Sequence, residues 1–554
     1  MVETSKGLSA LNEEFVEVTF RHEPVLATAV GIHDYDHLLP DESLEGFAAR
    51  RAWLADFSAR VAREVSRFGP EVLDTDLALL ESRLAAMSIE LNEVESRRRD
   101  PVRGPENALD GVFLLMSRTF GPLVERKEAV LARLMATPAY LERLQPQLDR
   151  VPAPLVEAAV EVVASAPAFV DDVVRALRRS FPGEAERIEH AGDRARLAFL
   201  AYREFLERDL APRATAQAGI GANAFRRRLR EEHRLDLELE AIEQLGRDVL
   251  ASSLAALDEE ARRIDPARDW REQISAAAAR HPEPAHLLEA YGAETERARD
   301  FVVERRLAPA EHDVLELVET PIHHRALVPW TLYLTPPPFD ERPAGIFFVT
   351  PVDQSRPREQ QEVQLRGHAF ARIPLIVVHE AYPGRHLQAS CARRARTRLR
   401  QLASNDLLAE GWALYCAELM DEQDYFGDPL TRLFRLRDLA LRACRVIVDT
   451  SLHCGRLDFD QAVDLLERQV MIERSEAVRE VRRAVIQPTH LLSYLVGKHQ
   501  IEGIRAEAER RLGSNFHLHD FHRALLSAGA LPPALVREDT LRALGVTTGP
   551  KAGA

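Results

Sequence analysis

The sequence predicts a mainly α-helical protein that contains one small β-sheet. Ala, Leu, Arg and Glu dominate the 554 residues, and this mixture favours helix formation. Apolar residues recur with the period of amphipathic helices through residues 42–320, for example in Leu73–Met87 and Leu155–Val163. The pattern changes in residues 325–353, which contain the short apolar and aromatic runs that are typical of strands.

The chain is predicted to have two regions that form one integrated unit. Residues 1–320 begin with a short helix and a turn at Gly31–Asp36, and they continue as a helical scaffold. Residues 321–554 contain the sheet, whose two predicted strands are Trp330–Thr335 and Gly345–Thr350 on either side of a proline-rich connection. Beyond the sheet the sequence returns to amphipathic helices.

Charge and composition exclude several classes of function. The formal net charge of −15 argues against nucleic-acid binding. The N-terminus lacks the charged-then-apolar pattern of a secretory signal, and no apolar run reaches the length of about 20 residues that spans a bilayer. The four cysteines show no paired metal-binding spacing and are predicted to be buried thiols in a reducing cytosol. We therefore expect a cytoplasmic protein without nucleic-acid or membrane partners.

The segment Leu375–Gln388 carries the most specific chemical signal in the chain. It delivers His379, Glu380 and His386 from an apolar run, and Glu410 follows 24 residues after His386. Two histidines and a distal glutamate can bind zinc and leave an open position for a water molecule. Glu380 is predicted to be the general base, because it points about 100° away from His379 on a helix. Without zinc it would be a buried structural glutamate, which is costly.

The spacing of the two histidines is unusual. His379 and His386 are seven residues apart, whereas zinc-binding histidines on one helix are usually four apart. Seven residues separate Cα atoms by about 10 Å along an unbroken helix, too far for zinc–nitrogen bonds of about 2 Å to be shared easily. Pro383 and Gly384 lie between them and can let about three residues bulge out. His386 would then lie near the place of an i+4 histidine.

Together these motifs resemble the signature of a bacterial family named domain of unknown function 885. The resemblance is carried by His379–Gln388 and Glu410–Tyr415, and it extends to Pro24–Asp36 and Leu492–Gly497. That family looks like a branch of the helical gluzincin metallopeptidases, which include angiotensin-converting enzyme and neurolysin. The resemblance implies two helical lobes around a deep active-site cleft, with residues 321–554 as the catalytic region. It also implies Zn²⁺ as cofactor and a small peptide or amide as substrate.

Hydrolysis also requires a donor for the negative charge that develops on the carbonyl oxygen. Tyr494 is the first candidate, because helical gluzincins use a C-terminal tyrosine in this way. His453 is the second candidate, and Asp449 can orient it if the two residues lie at i and i+4 of a helix. For Tyr494 and His453 alike, the alternative is an ordinary core or capping residue.

One residue departs from the family pattern at a critical place. Relatives often carry two consecutive histidines after Pro-Gly, and this chain has Arg385 followed by His386. If the family ligand is the second histidine, the metal site is intact and Arg385 can contact substrate. If it is the first, the site is damaged. The spacing argument favours His386 as the ligand.

The residues expected to contact substrate also depart in part from the family. His490 stands where glutamine is common, and Ala484 stands where tyrosine is common. Arg483 matches the family's arginine and is a candidate for binding a substrate carboxylate. The small sheet has two interpretations: a surface hairpin with ordinary packing, or an edge along the cleft that pairs with an extended substrate.

Two classes of function stay open. The first is a zinc-dependent hydrolase of peptide or amide bonds in small peptides, in which Glu380 activates a metal-bound water. The second is a non-hydrolytic family member that uses the scaffold for another metal-dependent reaction or for ligand binding. Bound zinc with an intact Glu380 would support the first class, and a metal-free pocket would support the second.

Overall fold

The computed structural model describes residues 2–68, 74–310, 314–321, 325, 328 and 330–546. These residues are mainly helical and include one three-stranded sheet, which confirms the predicted fold class at this level. The chain divides into two compact units. The first unit is Met1–Ile220 with Thr320–Pro329 and Pro337–Pro343, and the second is Gly221–Glu319 with Trp330–Pro336 and Ala344–Ala554.

The α-helices of the first unit bury their apolar faces against one another. In chain order they are α1 Val2–His22, α2 Pro24–Ala29, α3 Leu44–Phe68, α4 Thr75–Ile89, α5 Ser96–Arg99, α6 Arg103–Ser117, α7 Leu123–Leu144, α8 Ala153–Ser180 and α9 Ala185–Phe205. By length and composition alone, α8 is apolar enough to cross a membrane, which the sequence analysis missed. The same helix packs along α9 and supplies the buried core residues Val163, Phe169 and Val173.

The second unit contains the sheet and the remaining described helices. These are α10 Ala222–Arg227, α11 Leu239–Ile264, α12 Trp270–Ala278, α13 Leu287–Glu304, α14 Arg358–Arg366, α15 Ile373–Glu380, α16 Arg385–Ala392, α17 Arg398–Leu402, α18 Asp406–Glu422, α19 Pro429–His453, α20 Phe459–Val470, α21 Arg474–Ile486, α22 His490–Leu512, α23 Leu518–Ser527 and α24 Pro533–Ala543. α11 packs along α19, with Gly246 close to Val446. α11 therefore belongs to the second unit, which begins at Gly221, whereas the sequence predicted residue 320 as the boundary between two regions of one integrated unit.

The sheet has the strand order β1–β3–β2, with β1 at Leu315–Glu319, β2 at Thr331–Leu334 and β3 at Gly345–Val349. β2 and β3 are the two predicted strands, and they pair antiparallel with Thr331 opposite Val349. β1 pairs parallel with β3 and was not predicted, because its sequence Leu-Glu-Leu-Val-Glu also fits one face of a helix. β3 is buried along its whole length, as expected for the central strand.

Two helices that carry candidate site residues cross at very short distance. Gly411 follows Glu410 on α18, and Gly497 lies one turn after Tyr494 on α22. A Cβ atom on Gly497 would lie 1.8 Å from the carbonyl oxygen of Leu407, and one on Gly411 would lie 2.4 Å from the backbone of Gly497. The two glycines let the backbones touch, and this contact holds Glu410 and Tyr494 on neighbouring helices.

Candidate functional site

The predicted zinc-binding segment forms two short helices rather than one bulged helix. α15 ends at Glu380 and α16 begins at Arg385, so that residues 381–384 leave the helical path. The indole nitrogen of Trp412 donates a hydrogen bond to the carbonyl oxygen of Pro383 at 2.8 Å. This bond ties the connection to α18.

The side chain of Arg385 lies at the centre of the group that this segment builds. Its Nη1 is 3.2 Å from Oε1 of Glu410, and its Nε is 3.9 Å from Oε2 of Glu380. His379 approaches the other oxygen of Glu410, with 3.7 Å between Nε2 and Oε2. The structure therefore brings four of the predicted site residues together, and the fourth, Arg385, had been predicted to contact substrate.

His386 lies in a different environment. Its ring is fully buried, and its Nδ1 is 3.0 Å from the hydroxyl oxygen of Tyr333 on β2. A Cβ atom on Gly345 would lie 2.5 Å from the same nitrogen, so the glycine at the start of β3 makes room for the ring. Burial lowers the pKa of His386 to about 4, and the imidazole is therefore neutral at pH 7.

The predicted ligand set of His379, His386 and Glu410 is not assembled in this structure. Within the described part of the chain, no group of three His, Cys, Asp or Glu side chains is arranged to hold a metal ion. α16 turns its first side chain, Arg385, to Glu410, and the next one, His386, contacts Tyr333 through Nδ1. The buried Nε2 of His386 and Oε2 of Glu410 have no hydrogen-bond partner among the described residues. A guanidinium is a charged donor without a lone pair for a metal, so Arg385 is not a zinc ligand, and Zn²⁺ as cofactor stays a prediction.

Burial and the Arg385 charge determine the protonation of the group. Burial lowers the pKa of His379 to about 3, although the Glu410 carboxylate opposes the shift, and the imidazole is neutral. Burial raises the pKa of Glu380, and the Arg385 guanidinium offsets this only in part. Burial would also raise the pKa of Glu410, but Arg385 and His379 bring it below its ordinary value. The pair of Arg385 and Glu410 is thus the electrostatic centre of the site.

Most of the chain matches one protein family and the folds of solved structures. The model of the family described as "Bacterial protein of unknown function (DUF885)" matches residues 24–539. The chain belongs to this family. No curated protein matches it.

Two solved structures share the fold over nearly the full length of this family member. One is a proposed lipoprotein of unknown function from Shewanella oneidensis, with a TM-score of 0.77 and 21% identity over 96% of this chain and 99% of that chain. The other is a proposed lipoprotein from Colwellia psychrerythraea, with a TM-score of 0.82 and 19% identity over 98% of this chain and 99% of that chain. At these identities the likeness shows the fold alone. The lipoprotein description concerns those two proteins, and the cytoplasmic location of this chain stays a prediction.

Tyr494 of this family member lies beside the predicted catalytic segment. Its ring and the ring of His379 are nearly parallel, at 14°, with centroids 6.3 Å apart. Burial raises the pKa of Tyr494, and Glu410 raises it further, so the hydroxyl is neutral at pH 7. Tyr494 therefore lies beside His379, and its role as oxyanion donor stays a prediction.

Two arginines that the sequence analysis missed face the same tyrosine. Arg442 and Arg445 on α19 place their guanidinium carbons 4.7 and 5.1 Å from the ring centroid of Tyr494. Arg445 is 5% exposed and pairs with Glu480 at 2.7 Å, yet among the described residues its Nε and Nη1 have no hydrogen-bond partner. The buried Nε of Arg442 has none there either. The sequence feature that could have identified them is the position of two arginines inside an apolar run of α19.

His453, the second candidate for the oxyanion donor, is buried in the core, and its catalytic role stays a prediction. It is fully buried, its ring stacks on Phe225, and its Nε2 donates to the carbonyl oxygen of Ala484 at 3.0 Å. Asp449 lies 3.4 Å from the same nitrogen in the i, i+4 arrangement that the sequence suggested. The same carboxylate accepts the backbone N–H of Leu492 at the start of α22. The Nε2–H group of His453 therefore donates to an acceptor within the core.

The two remaining substrate candidates lie near Tyr494. The ring of His490 is perpendicular to that of Tyr494 at 5.6 Å, and its Nδ1 is 2.9 Å from the carboxylate of Asp406. Arg483 is exposed on α21. Burial dominates the pKa of Tyr494, but the charge of Arg483 also acts on it, so this guanidinium lies within electrostatic reach of the site.

Proposed function

We propose that this chain binds a small molecule with a carboxylate group at the His379 site and that it does so without zinc. The observation that carries the proposal is the contact of Arg385 with Glu410 at 3.2 Å, on the carboxylate that His379 also approaches. A fixed guanidinium supplies the positive charge that zinc supplies in a metallopeptidase, but it has no open coordination position for a water molecule. Ligand binding, rather than hydrolysis, is the chemistry that this group supports best.

The arginines opposite Tyr494 are the groups expected to recognise the ligand. Arg445 and Arg442 retain buried N–H groups without a hydrogen-bond partner among the described residues, and unsatisfied buried donors are costly. A carboxylate accepts two parallel hydrogen bonds from a guanidinium, and such charge-assisted pairs are stronger than neutral ones. The neutral hydroxyl of Tyr494 is a further donor to the same ligand.

Zinc-dependent hydrolysis of a small peptide or amide is the second candidate function. It is favoured by the approach of His379 to Glu410 at 3.7 Å, with Glu380 next to His379, which resembles a gluzincin metallopeptidase site. This candidate function implies a relationship to the gluzincins and two helical lobes around a deep cleft. It requires Arg385 to leave Glu410 and another group to complete the ligand set.

We expect the full-length protein to bind glycyl-leucine in the presence of EDTA. Glycyl-leucinamide, which lacks the carboxylate, should bind at least about 10-fold more weakly, because it cannot form the charge-assisted pair. Arg442→Met should weaken binding of glycyl-leucine by about 10–100-fold, the equivalent of roughly 1.5–3 kcal/mol for a hydrogen bond to a charged group. Isothermal titration calorimetry measures these affinities.

Arg432→Met is the matched control for this experiment. Arg432 lies on the same helix as Arg442, but its side chain is 49% exposed and pairs with Asp421, so the variant should bind like the wild type. Equal binding of the acid and the amide would contradict the assignment of a carboxylate. Cleavage of glycyl-leucine that depends on zinc and stops in EDTA would establish the second candidate instead.

A further inference from the structure

The first unit contains a cavity of about 320 Å³ that is separate from the site described above. It lies among α1, α3, α4, α6 and α7, and all of its lining residues belong to the first unit. Its volume is at the lower end of the range of about 300–1,000 Å³ that is typical of small-molecule pockets.

One wall of the cavity is apolar and aromatic. Trp53 on α3 and Phe15 on α1 form part of it, with ring centroids 6.3 Å apart. Met87 on α4 and Leu91 just beyond it extend the same wall. Aromatic rings and a flexible thioether suit the apolar body of a ligand.

The backbone beside this wall is irregular. α4 continues into a π-helical turn at Glu90–Val94, and Glu95 follows with a φ of 50°, which is uncommon for a residue other than glycine. Both Leu91 of this turn and Glu95 line the cavity. Short π-helical turns and strained backbone occur frequently at functional sites.

The carboxylates on the wall already have partners. The contacts are Glu23 with Arg50 and Arg103, Glu42 with Arg50, Glu95 with Arg97, Asp100 with the backbone N–H of Val102, and Glu90 within electrostatic reach of Arg103. The carboxylates of the cavity are therefore already paired within the protein and do not need a cationic ligand.

Two arginines on the wall, in contrast, have hydrogen-bonding capacity left. Arg83 is half-buried on α4 and forms no hydrogen bond or ion pair with any residue in the described ranges. Arg50 is 5% exposed, and its Nε has no hydrogen-bond partner among those residues. A buried guanidinium with free N–H groups is a strong anion-binding group.

We propose that this cavity binds an amphipathic anion, namely a carboxylate with an apolar chain or ring. The carboxylate pairs with Arg83 and with the free Nε of Arg50, and the apolar body packs against Trp53 and Met87. This second site lies in the first unit and does not depend on the function proposed for the His379 site.

The test uses decanoate and decylammonium, which have the same chain and opposite charge, as probes of the full-length protein below their micellar concentrations. Calorimetry should show that the cavity takes up one decanoate, a binding step that Arg83→Met weakens, at least about 10-fold more tightly than decylammonium, because the free groups of the wall are cationic. Equal affinity for the two probes, or no saturable binding of decanoate, would overturn the proposal.

Two variants and two controls locate the binding. Arg83→Met should weaken decanoate binding at least about 10-fold, and Met87→Trp should abolish it by filling the cavity. Arg63→Met is the matched control, because Arg63 is exposed on α3 and does not line the cavity. Arg442→Met, which removes a guanidinium of the His379 site, measures any decanoate that is bound there instead. If Arg442→Met loses decanoate binding and Arg83→Met keeps it, decanoate binds in the second unit. This result would refute the cavity assignment.

Discussion

Arg385→His is expected to turn the His379 site into a zinc site. The substitution places a neutral nitrogen ligand beside Glu410 and removes a charge that repels the metal. Two unit charges at 4 Å interact by about 4 kcal/mol near a protein surface, and the repulsion of a divalent ion is larger. We therefore expect zinc affinity to rise by at least about 1,000-fold. Metal analysis after dialysis against zinc should find about one zinc per chain in the variant and almost none in the wild type.

Two further variants separate charge from ligation. Arg385→Gln removes the repulsive charge but adds no nitrogen ligand, so its zinc affinity should lie between those of the wild type and Arg385→His. His386→Ala should have the same low zinc content as the wild type, because the proposed function gives His386 no role as a metal ligand. One zinc per wild-type chain that disappears in His386→Ala would show that the originally predicted ligand set forms in solution.

Gly497→Ala is expected to have the largest effect on stability. The added methyl group would lie 1.8 Å from the carbonyl oxygen of Leu407, and neither backbone can move without separating α18 from α22. Overpacking typically costs about 1–3 kcal/mol, and a clash between two backbones belongs at the upper end, so we expect a loss of about 3 kcal/mol in the free energy of unfolding. Urea unfolding followed by circular dichroism measures this loss.

Gly503→Ala is the matched control on the same helix. A Cβ atom there meets no atom within 4 Å, so the better helix propensity of alanine should stabilise the protein by up to about 1 kcal/mol. Equal stability of the two variants would mean that α18 and α22 do not cross as closely as described. Because the crossing holds Glu410 next to Tyr494, Gly497→Ala should also weaken binding of glycyl-leucine.

The sequence predicts those parts of the fold that depend on local periodicity. The helical class and the strands β2 and β3 follow from the spacing of apolar residues and from turn residues, which act over a few positions. The strand β1 and the division near residue 220 could not be predicted in this way. β1 is a strand because β3 lies beside it, and α11 belongs to the second unit because it packs along α19.

The limits of prediction at the site have a similar cause. His379, Glu380 and Glu410 were found because their spacing on helices fixes where the side chains point. The direction of Arg385 and His386 depends instead on the backbone torsions between α15 and α16, which no helical spacing rule covers. Arg442 and Arg445 were missed because charged residues on a helix usually lie on a solvated face, whereas these two pack on a buried tyrosine.

The pairing of Arg385 with Glu410 also determines whether the positive charge of the site varies with metal concentration and pH. A metal ion exchanges with the solution, so the charge at the centre of a metalloprotein follows metal supply, chelators and proton concentration. A guanidinium is covalently part of the chain and stays protonated at any pH at which proteins are folded. The Arg385 charge of this site is therefore part of the polypeptide and does not depend on the supply of metal ions.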